Sequence, residues 1–306
     1  MKSEKRKKKI FLTGGSGLLG TRLIELLARR YTIASFDRNG VPDSIKTLCQ
    51  EFTGDLTKKE DVAQAVLSFK PEIIIHAAAM TDVDGCEENK DLAYQVNVEG
   101  TKNIVDEAVR LSCHLIYIST DFVFDGKKGS YSENDTPNPV DYYGQTKYEG
   151  EGVVSKAKTQ SLIIRIAYPY RAHFEKTDKI RWMLPKLQNS EEITAVSDQY
   201  GTPTFIDDIV SVLDTMIEKK VTGLYHVVGA TRASWFEVAQ AVCRVFGFDE
   251  KLVKPMRYAD FIAGKKRAPR PYDSSLSIEK LRHDLGLSMS TLEEGITKIK
   301  QQMEKV

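Results

Sequence analysis

The sequence lacks any apolar run close to the roughly 18 residues that a membrane-spanning helix requires. It also lacks a signal-type apolar segment before its first glycine-rich motif. Its four cysteines are widely spaced and form no C-x-x-C pair, so neither a disulfide framework nor a zinc site is indicated. No other cluster of metal ligands stands out, and no metal is predicted. These absences predict a soluble, cytoplasmic protein of a reducing compartment.

A strong net charge is also missing. The 306 residues carry a formal charge of +1, which gives no overall field toward nucleic acid or an anionic membrane, and neither partner is predicted. The one dense basic run, "KSEKRKKK" at Lys2–Lys9, is interpreted as a solvated tail, with contact to nucleic acid or lipid as the alternative. The length allows one large α/β domain or a domain with a smaller lobe.

Short apolar strands alternate with longer amphipathic segments in the first two-thirds of the chain. This alternation indicates βαβ units and predicts a Rossmann-type, doubly wound parallel sheet of the α/β class. The predicted strands are "KIFLTG", "TIASFD", "EFTGD", "EIIIHAAA", "HLIYIST" and "SLIIRIA". The predicted helices are "LLGTRLIELLARR", "AYQVNVEGTKNIVDEAVRL" and a segment that follows Pro139.

From about Tyr170 the alternation breaks down. Helices are predicted at "WMLPKLQNSEEITAV", "SWFEVAQAVCRVFGF" and "TLEEGITKIKQQMEKV", a buried strand at "GLYHVVG" and a loop at "AGKKRAPRPYDSSLS". We therefore predict an NAD(P)-binding domain over residues 1–169, to which 198–228 return. A smaller C-terminal substrate-binding lobe is predicted over 170–197 and 229–306.

A glycine loop separates the first predicted strand from the first predicted helix. Gly14, Gly17 and Gly20 stand at G-x-x-G-x-x-G spacing, which allows a tight turn and close approach of the backbone to a pyrophosphate. The N–H groups and the dipole at the helix start favour the anion. The loop therefore predicts phosphate binding, with a purely structural turn as the alternative. Leu18 and Leu19 are the other cofactor-binding residues predicted here.

Acidic residues follow the second and third predicted strands. Asp37 is suited to accept hydrogen bonds from the adenosine ribose hydroxyls, or is simply a turn residue at the strand end. Arg38 comes next and can hold a 2′-phosphate, so the choice between NAD and NADP stays open. Asp55, with Leu56 beside it, is placed to reach the adenine edge, or caps the next helix.

The fourth predicted strand ends in small residues. Ala77, Ala78 and Ala79 let the backbone approach a flat cofactor closely. His76 is interpreted as a buried histidine whose hydrogen bonds are satisfied, rather than as an acid or base.

Two adjacent tyrosines precede a lysine in "VDYYGQTKYEGE". Only Tyr143 has a lysine four residues on, at Lys147, one helical turn away. With 13 tyrosines and many lysines, about one such pair is expected by chance, so the spacing alone proves nothing. However, the preceding strand "HLIYIST" ends in Ser119 and Thr120, at the sheet edge where open α/β sheets bind ligands.

At this point the sequence resembles the extended short-chain dehydrogenase/reductase family, and within it the dTDP-4-dehydrorhamnose reductase branch. The resemblance runs almost end to end. The segments that carry it are "TGGSGLLG", "GDLT", "HAAAMTDVDGCEEN", "VNVEGT", "STDFVFDGKKGSYSE", "YGQTKYEGE", "DQYGTPT", "GLYHVVG", "SW" and "RPYDSSLS".

The resemblance implies that Thr120, Tyr143 and Lys147 are catalytic and that Tyr143 and Lys147 also bind the cofactor. Reduction of a ketone needs a hydride on carbon, which NADPH or NADH carries, and a proton on oxygen. A phenol with a pKa of about 10 needs a nearby ammonium to act near neutrality. Thr120 then holds the substrate oxygen, Tyr143 delivers the proton, and Lys147 supplies the charge and binds the nicotinamide ribose.

The resemblance also implies supporting and substrate-binding residues. Asn97 matches a helix asparagine that supports the active-site backbone and is counted among the predicted cofactor-binding residues, with a helix-bending polar residue as the alternative. Arg270 is a reasonable diphosphate partner because its fork suits phosphate oxygens. Gln199, Thr202 and Arg270 have a structural loop role as their alternative. The residues assigned to substrate binding are Thr81, Val83, Asp121, Phe122, Gln199, Thr202 and Arg270.

The motifs define the activity within the family less closely than they define the family itself. Dehydratases carry an acidic pair after the threonine, but here Asp121 is followed by Phe122. Epimerases share the tyrosine and lysine, although "STDFVFDG" and "DQYGTPT" favour a reductase. After Arg165 the segment "IAYPYRAHFEK" departs from the branch pattern at Pro169 and Arg171, which leaves the substrate open.

The predicted function is NAD(P)H-dependent reduction of a nucleotide-linked 4-keto-6-deoxy sugar, as in dTDP-L-rhamnose biosynthesis. The alternatives are another sugar-nucleotide reductase or epimerase, and a non-catalytic NADP-binding regulator that resembles the β subunit of methionine adenosyltransferase, because one fold hosts several functions. The protein is predicted to be a monomer or a homodimer. The sugar, the base and the cofactor preference stay undefined.

Overall fold

The computed structural model of the protein describes residues 6–264 and 266–305. Lys2–Lys5 of the basic run and Lys265 of the predicted loop lie outside the described residues. The basic run does not end before the first strand, because Lys9 is the first residue of that strand and its Nζ donates to the Phe69 carbonyl at 2.6 Å.

The strands and helices occur in the following places. The strands are β1 (Lys9–Thr13), β2 (Thr32–Asp37), β3 (Gln50–Thr53), β4 (Ile73–His76), β5 (His114–Thr120), β6 (Ser161–Ile166), β7 (Pro169–Tyr170), β8 (Ile193–Val196), β9 (Tyr200–Gly201), β10 (Thr204–Phe205), β11 (Gly223–His226), β12 (Ala233–Ser234) and β13 (Val253–Met256). The α-helices are α1 (Leu18–Leu27), α2 (Lys59–Phe69), α3 (Val83–Glu88), α4 (Lys90–Tyr94), α5 (Gly100–Arg110), α6 (Tyr142–Ser155), α7 (Lys179–Gln188), α8 (Ile206–Lys219), α9 (Trp235–Phe246), α10 (Tyr258–Ile262), α11 (Glu279–Leu285) and α12 (Leu292–Met303). Short 3₁₀ helices occur at Asp43–Leu48, Asp121–Val123 and Glu250–Leu252.

The main sheet confirms the predicted Rossmann-type architecture. Its seven strands have the order β11-β6-β5-β4-β1-β2-β3, and the pairings from β3 through β2, β1 and β4 to β5 are parallel. The chain fills one side of β1 with β2 and β3 and then crosses to the other side with β4. The order therefore reverses between β1 and β4, and ligands of open α/β sheets bind at such a reversal.

The chain divides into two compact units. Unit 1 comprises the described parts of Met1–Ser119, Gln145–Ile164 and Leu213–Leu224, and unit 2 those of Thr120–Gly144, Arg165–Val212 and Tyr225–Val306. The predicted domain bounds stay a prediction. The core of unit 1 includes Phe11, Phe36, Ile74 and Leu115, all less than 3% exposed.

Unit 2 has its own core, built on α7, α9 and α12. Two of these helices begin with a capping box, Ser234 with Glu237 and Thr291 with Glu294, which satisfies N–H groups at the helix start. The prediction of helix through "EEITAV" is wrong. Helix α7 ends at Gln188, and Ile193–Val196 form strand β8, which pairs in parallel with β13 because its branched side chains suit a strand.

The predicted long helix is interrupted in its middle. Helix α4 continues into a π-helical turn at Gln95–Glu99 and then into α5. Such turns are rare and are frequent at functional sites. None of the helices within the described residues is long and apolar enough to cross a membrane.

Candidate active and cofactor site

The glycine loop lies against the chain segment that follows β4. Gly14 has a φ of 76°, and a Cβ atom there would lie 2.8 Å from the Ala78 nitrogen. The position therefore requires glycine for its backbone conformation and for the close approach. Two of the predicted cofactor residues, Gly14 and Ala78, are brought together in this way.

Helix α1 starts directly after this loop and fits an anion at its N-terminus. Gly17 is the N-cap and makes no side-chain capping hydrogen bond, and the first turn of the helix holds no acidic residue. The positive end of the helix dipole is therefore left for a ligand such as a phosphate. Leu18 and Leu19 occupy the first helical positions, with Leu19 buried.

Asp37 connects the end of β2 to the glycine loop. Its Oδ2 accepts hydrogen bonds from Ser16 Oγ at 2.7 Å and Ser16 N at 3.2 Å. Its Oδ1 accepts from Asn39 N at 3.3 Å, so the residue is also a turn residue at the strand end. Ser16 was not predicted, since a serine between glycines carries no signal of its own. Arg38 is exposed.

Asp55 forms a turn after β3. Its Oδ1 accepts from Thr57 N at 2.9 Å and from Thr57 Oγ1 at 2.8 Å, and the backbone hydrogen bond is the main cause that lowers its pKa. The alternative role as a cap does not hold, because the N-cap of α2 is Lys58. Leu56 is buried, and a Cβ on Gly100 would lie 2.7 Å from its Cγ.

His76 is a buried histidine with both ring nitrogens engaged. Nδ1 pairs with Thr13 Oγ1 at 2.7 Å and Nε2 with Thr101 Oγ1 at 3.0 Å. Burial lowers its pKa to about 3, so the ring is neutral, as interpreted from the sequence. The Thr13 hydroxyl also accepts from Ala78 N at 3.1 Å. The network thus holds the backbone at Ala78.

Asn97 supports the chain beyond β4 from within the π-helical turn. Its Oδ1 accepts from Met80 N at 2.8 Å, and its Nδ2 donates to Met80 O at 3.1 Å and to Thr146 Oγ1 at 3.0 Å. The side-chain amide is therefore bonded to protein groups and positions the backbone. Beyond Met80, Thr81 is exposed and Val83 begins α3.

Helix α6 carries both Tyr143 and Lys147, one turn apart. The Lys147 Nζ donates to the Ile118 carbonyl of β5 at 2.7 Å and lies 4.0 Å from the centre of the Tyr117 ring. Burial lowers the pKa of Lys147 to about 7, whereas the charge of Glu151 acts in the opposite direction. The amine is thus held against strand β5.

In unit 2, Thr120 is hydrogen-bonded to the two residues that follow it, and the second of them contacts Tyr143. The Thr120 hydroxyl donates to Asp121 Oδ1 at 3.1 Å and accepts from Phe122 N at 3.3 Å. The Phe122 ring contacts the Tyr143 ring edge-on, with centroids 5.8 Å apart. A Cβ on Gly144 would lie 2.1 Å from the Phe122 carbonyl oxygen. Glycine beside the tyrosine therefore allows this approach.

Asp121 is a buried acid of unit 2. The Ser274 hydroxyl donates to its Oδ2, and burial raises the pKa of Asp121 to about 7. The Asp121 carboxyl group therefore holds its proton more tightly in the folded state than in the unfolded state, where its pKa is near 3.8.

We expect the ionisation of Asp121 to lower the free energy of unfolding as the pH rises. The contribution of its proton to the free energy of unfolding is present below pH 3.8 and is lost between there and about pH 7. Urea unfolding at pH 5 and pH 8 should show that Asp121→Asn gains stability relative to the wild type at pH 8. The matched control is Asp135→Asn, because Lys128 holds the pKa of Asp135 at about 2 and both states are ionised at either pH. An equal pH dependence in both variants would contradict this account.

The remaining predicted substrate residues lie in loops of unit 2. Gln199 Nε2 donates to the Pro271 carbonyl at 3.0 Å. Arg270 donates to the Ala268 carbonyl at 2.8 Å, and its guanidinium also bonds the Tyr258 phenol. Gln199 and Arg270 therefore both donate hydrogen bonds to the loop that contains Ala268 and Pro271. Thr202 is buried, and its Oγ1 has no hydrogen-bond partner within the described part of the chain.

An aromatic and cationic group in unit 2 was not predicted. Tyr168 has a φ of 42° and contacts Trp235 edge-on at 5.3 Å. The Lys179 Nζ lies 3.9 Å from the centre of the Trp235 ring. Lys179 keeps an exposed surface, yet its pKa is lowered to about 8. The main cause is the loss of water around the amine among protein atoms, and the positive charges of Arg270 and Arg267 add to it. The departure of the segment after Arg165 from the branch pattern indicated that this region is unusual, but it predicted none of these contacts.

No group of three or more histidine, cysteine or acidic side chains suited to a metal occurs within residues 6–264 and 266–305.

Comparison with known proteins defines the family. A sequence model of the RmlD substrate binding domain matches residues 8–305. The chain belongs to the RmlD substrate binding domain family. This finding confirms the family predicted from the motifs.

Several known proteins are similar to this chain over nearly its full length. The dTDP-4-dehydrorhamnose reductase of Aggregatibacter actinomycetemcomitans is 32% identical and is matched over 97% of this chain and 99% of its own. A crystal structure of dTDP-4-dehydrorhamnose reductase from Bacillus anthracis str. Ames in complex with NADP has a TM-score of 0.86 at 32% identity, covering 97% of this chain and 100% of that one. Methionine adenosyltransferase 2 subunit beta of Mus musculus is 29% identical over 93% of this chain and 84% of its own.

Proposed function

We propose that this protein reduces the 4-keto group of a nucleotide-linked 4-keto-6-deoxy sugar, with NADPH or NADH as the reductant. The observation that carries the proposal is the arrangement on α6, where Tyr143 stands one turn before Lys147 and the buried amine is bonded to the end of β5. The substrate and cofactor in the names of the bacterial relatives support the same chemistry.

The residues of unit 1 fit a dinucleotide. The close approach of Gly14 to Ala78 and the uncapped start of α1 suit a pyrophosphate, and the Asp37 carboxylate suits the ribose hydroxyls. When bound, the nicotinamide cofactor supplies the hydride. We assign the dinucleotide to the residues predicted from the sequence: Gly14, Gly17, Leu18, Leu19, Asp37, Arg38, Asp55, Leu56, Ala77, Ala78 and Ala79.

The side chains of the chain itself have separate roles in the proposed reaction. The Thr120 hydroxyl holds the substrate oxygen, and the Tyr143 phenol donates a proton to that oxygen as it gains negative charge. Lys147 in its ammonium form stabilises the phenolate that remains on Tyr143. Asn97 acts through the backbone that it holds, while Asp121, Phe122, Gln199, Thr202 and Arg270 are assigned to the substrate.

The test is loss of reduced-nicotinamide absorbance. The purified protein is mixed with NADPH or NADH and the 4-keto-6-deoxy sugar nucleotide, generated in situ with its 3,5-epimerase. Oxidation that requires both the protein and the sugar nucleotide is expected. Tight cofactor binding without oxidation would contradict the proposal.

Arg38 and Asp37 are expected to set the cofactor preference. An arginine–phosphate hydrogen bond contributes about 1.5–3 kcal/mol, so Arg38→Ala should raise KM for NADPH about tenfold or more and leave KM for NADH unchanged. Asp37→Ala should instead raise KM for NADH. The measurement is the two KM values for each variant, and equal changes for both cofactors would contradict these roles.

A second candidate is a non-catalytic NADP-binding regulator. It is favoured by the 29% identity to the β subunit of mouse methionine adenosyltransferase 2. This function requires bound cofactor, no turnover, and a change in the activity of a partner enzyme. A monomer or homodimer and the absence of a nucleic-acid partner stay predictions.

A further inference from the structure

Lys147 is a buried amine that must be positively charged to act as proposed. Its side chain is 3% exposed, and transfer of an ammonium away from water disfavours the charged form. The Ile118 carbonyl and the face of the Tyr117 ring both attract a cation, but each is a dipole or quadrupole without net charge. The site therefore needs a nearby carboxylate.

Glu151 lies one helical turn beyond Lys147 on α6 and is also buried, at 5% exposure. The Ser119 hydroxyl donates to its Oε1 at 2.6 Å. The Lys147 amine is bonded to Ile118, the residue before Ser119 on β5. The carboxyl group and the amine are therefore each tied to neighbouring residues of the same strand.

We propose that Glu151 is a positioning residue that keeps the Lys147 amine protonated during the reduction. The inference deepens the proposed reductase function and rests on it for its kinetic part. Glu151 acts through Lys147 and does not contact substrate or cofactor. Lys147 and Glu151, both in unit 1, stand one turn apart on α6, and in this proposal the second residue sets the charge of the first.

The other groups that face Lys147 do not replace this charge. His76 on β4 is neutral, because burial and, to a smaller extent, the charge of Lys147 lower its pKa to about 3. Tyr117 on β5 presents its ring face, and its hydroxyl donates to the Lys147 carbonyl at 3.4 Å. Tyr143, one turn before Lys147 on α6, becomes anionic only as it gives up its proton. Glu151 is the carboxylate that raises the pKa of Lys147.

The experiment follows the titration of Lys147 in the full-length protein. Lysine labelled with ¹³C at Cε is incorporated, the Lys147 signal is assigned with Lys147→Arg, and its shift is followed with pH. In Glu151→Gln, which keeps the size of the side chain and an acceptor for Ser119, the midpoint should fall by about one pH unit or more. Ser119→Ala should lower it less, and provides a second variant if the first does not fold. Glu149→Gln is the matched control on the same helix, because its carboxylate accepts from exposed Gln145, and it should leave the midpoint unchanged.

Turnover adds an independent readout. In Glu151→Gln, kcat should stay within about twofold of the wild type at pH 6 and be about tenfold lower at pH 8, since the lysine loses its proton at lower pH. An unchanged Lys147 midpoint overturns the inference, as does a kcat that falls by the same factor at both pH values, which indicates a merely structural role. The midpoint requires no turnover, so a failed reductase assay and a failed inference are distinguishable.

Discussion

Tyr143→Phe is expected to lower kcat by about three orders of magnitude, within the range of 10²–10⁴ that proton transfer by a positioned side chain contributes. The substitution removes the hydroxyl alone. The ring of residue 143 can keep its edge-on contact with Phe122, so the local packing should survive. The affinity for NADPH, measured by isothermal titration, should therefore stay within a few-fold of the wild type.

The adjacent tyrosine provides the matched control. Tyr142 lies on the same helix but has threonine, not lysine, one turn further on. Tyr142→Phe should therefore keep most of the turnover. If both variants lose activity equally, the phenol of Tyr143 is not the proton donor. If Tyr143→Phe keeps wild-type kcat in the presence of the sugar nucleotide, the mechanism proposed for this family member is wrong.

Gly20→Ala is expected to give the second large effect, on stability and cofactor binding together. A Cβ at residue 20 would lie 2.0 Å from the Gly14 carbonyl oxygen and 2.8 Å from Gly15 Cα, both of them backbone atoms. The glycine loop must then move away from α1. We expect the free energy of unfolding to fall by about 2–3 kcal/mol, the upper part of the range for overpacked sites. The affinity for NADPH should fall as well.

A second helical glycine separates this clash from a general effect of alanine. Gly152 lies in α6, and a Cβ there would meet no atom within 4 Å. Gly152→Ala should raise the free energy of unfolding by up to about 1 kcal/mol, since glycine is a poor helix former. Urea unfolding of both variants is the measurement. Destabilisation of similar size in the two proteins would contradict the proposed contact with the loop.

Local sequence patterns predicted the elements that frame the candidate site. Strands β1, β2, β4 and β5 each contain a short run of branched or aromatic residues that ends at a glycine, an acid or a small residue. Such patterns are readable because each strand of a parallel sheet is covered on both faces by helices. The wrong prediction of a helix at β8 arose because the local pattern there does not show the strand pairing. Ile193–Val196 follow directly on a helical pattern, and their pairing with β13 involves residues that are distant in the chain.

The contacts that tune the candidate site were less predictable. The bond from Ser119 to Glu151 and the approach of Lys179 to Trp235 join residues that are far apart in sequence. No periodicity or spacing marks such pairs. The role of Asn97 was implied by a motif, yet its actual partners, Met80 and Thr146, became known only from the fold.

The sequence by itself determined the family, the order of strands β1 to β6, and the identity of the phenol, amine and hydroxyl proposed for the chemistry. These properties depend on residue types at short spacings, which a linear pattern contains. Only the tertiary structure decided how those groups ionise. Burial lowers the pKa of Lys147 to about 7 and raises that of Asp121 to about 7, and Glu151 is buried one helical turn from the lysine that it is proposed to keep charged. Ionisation depends on water access and on charges brought together from distant parts of the chain, and only the folded protein determines these.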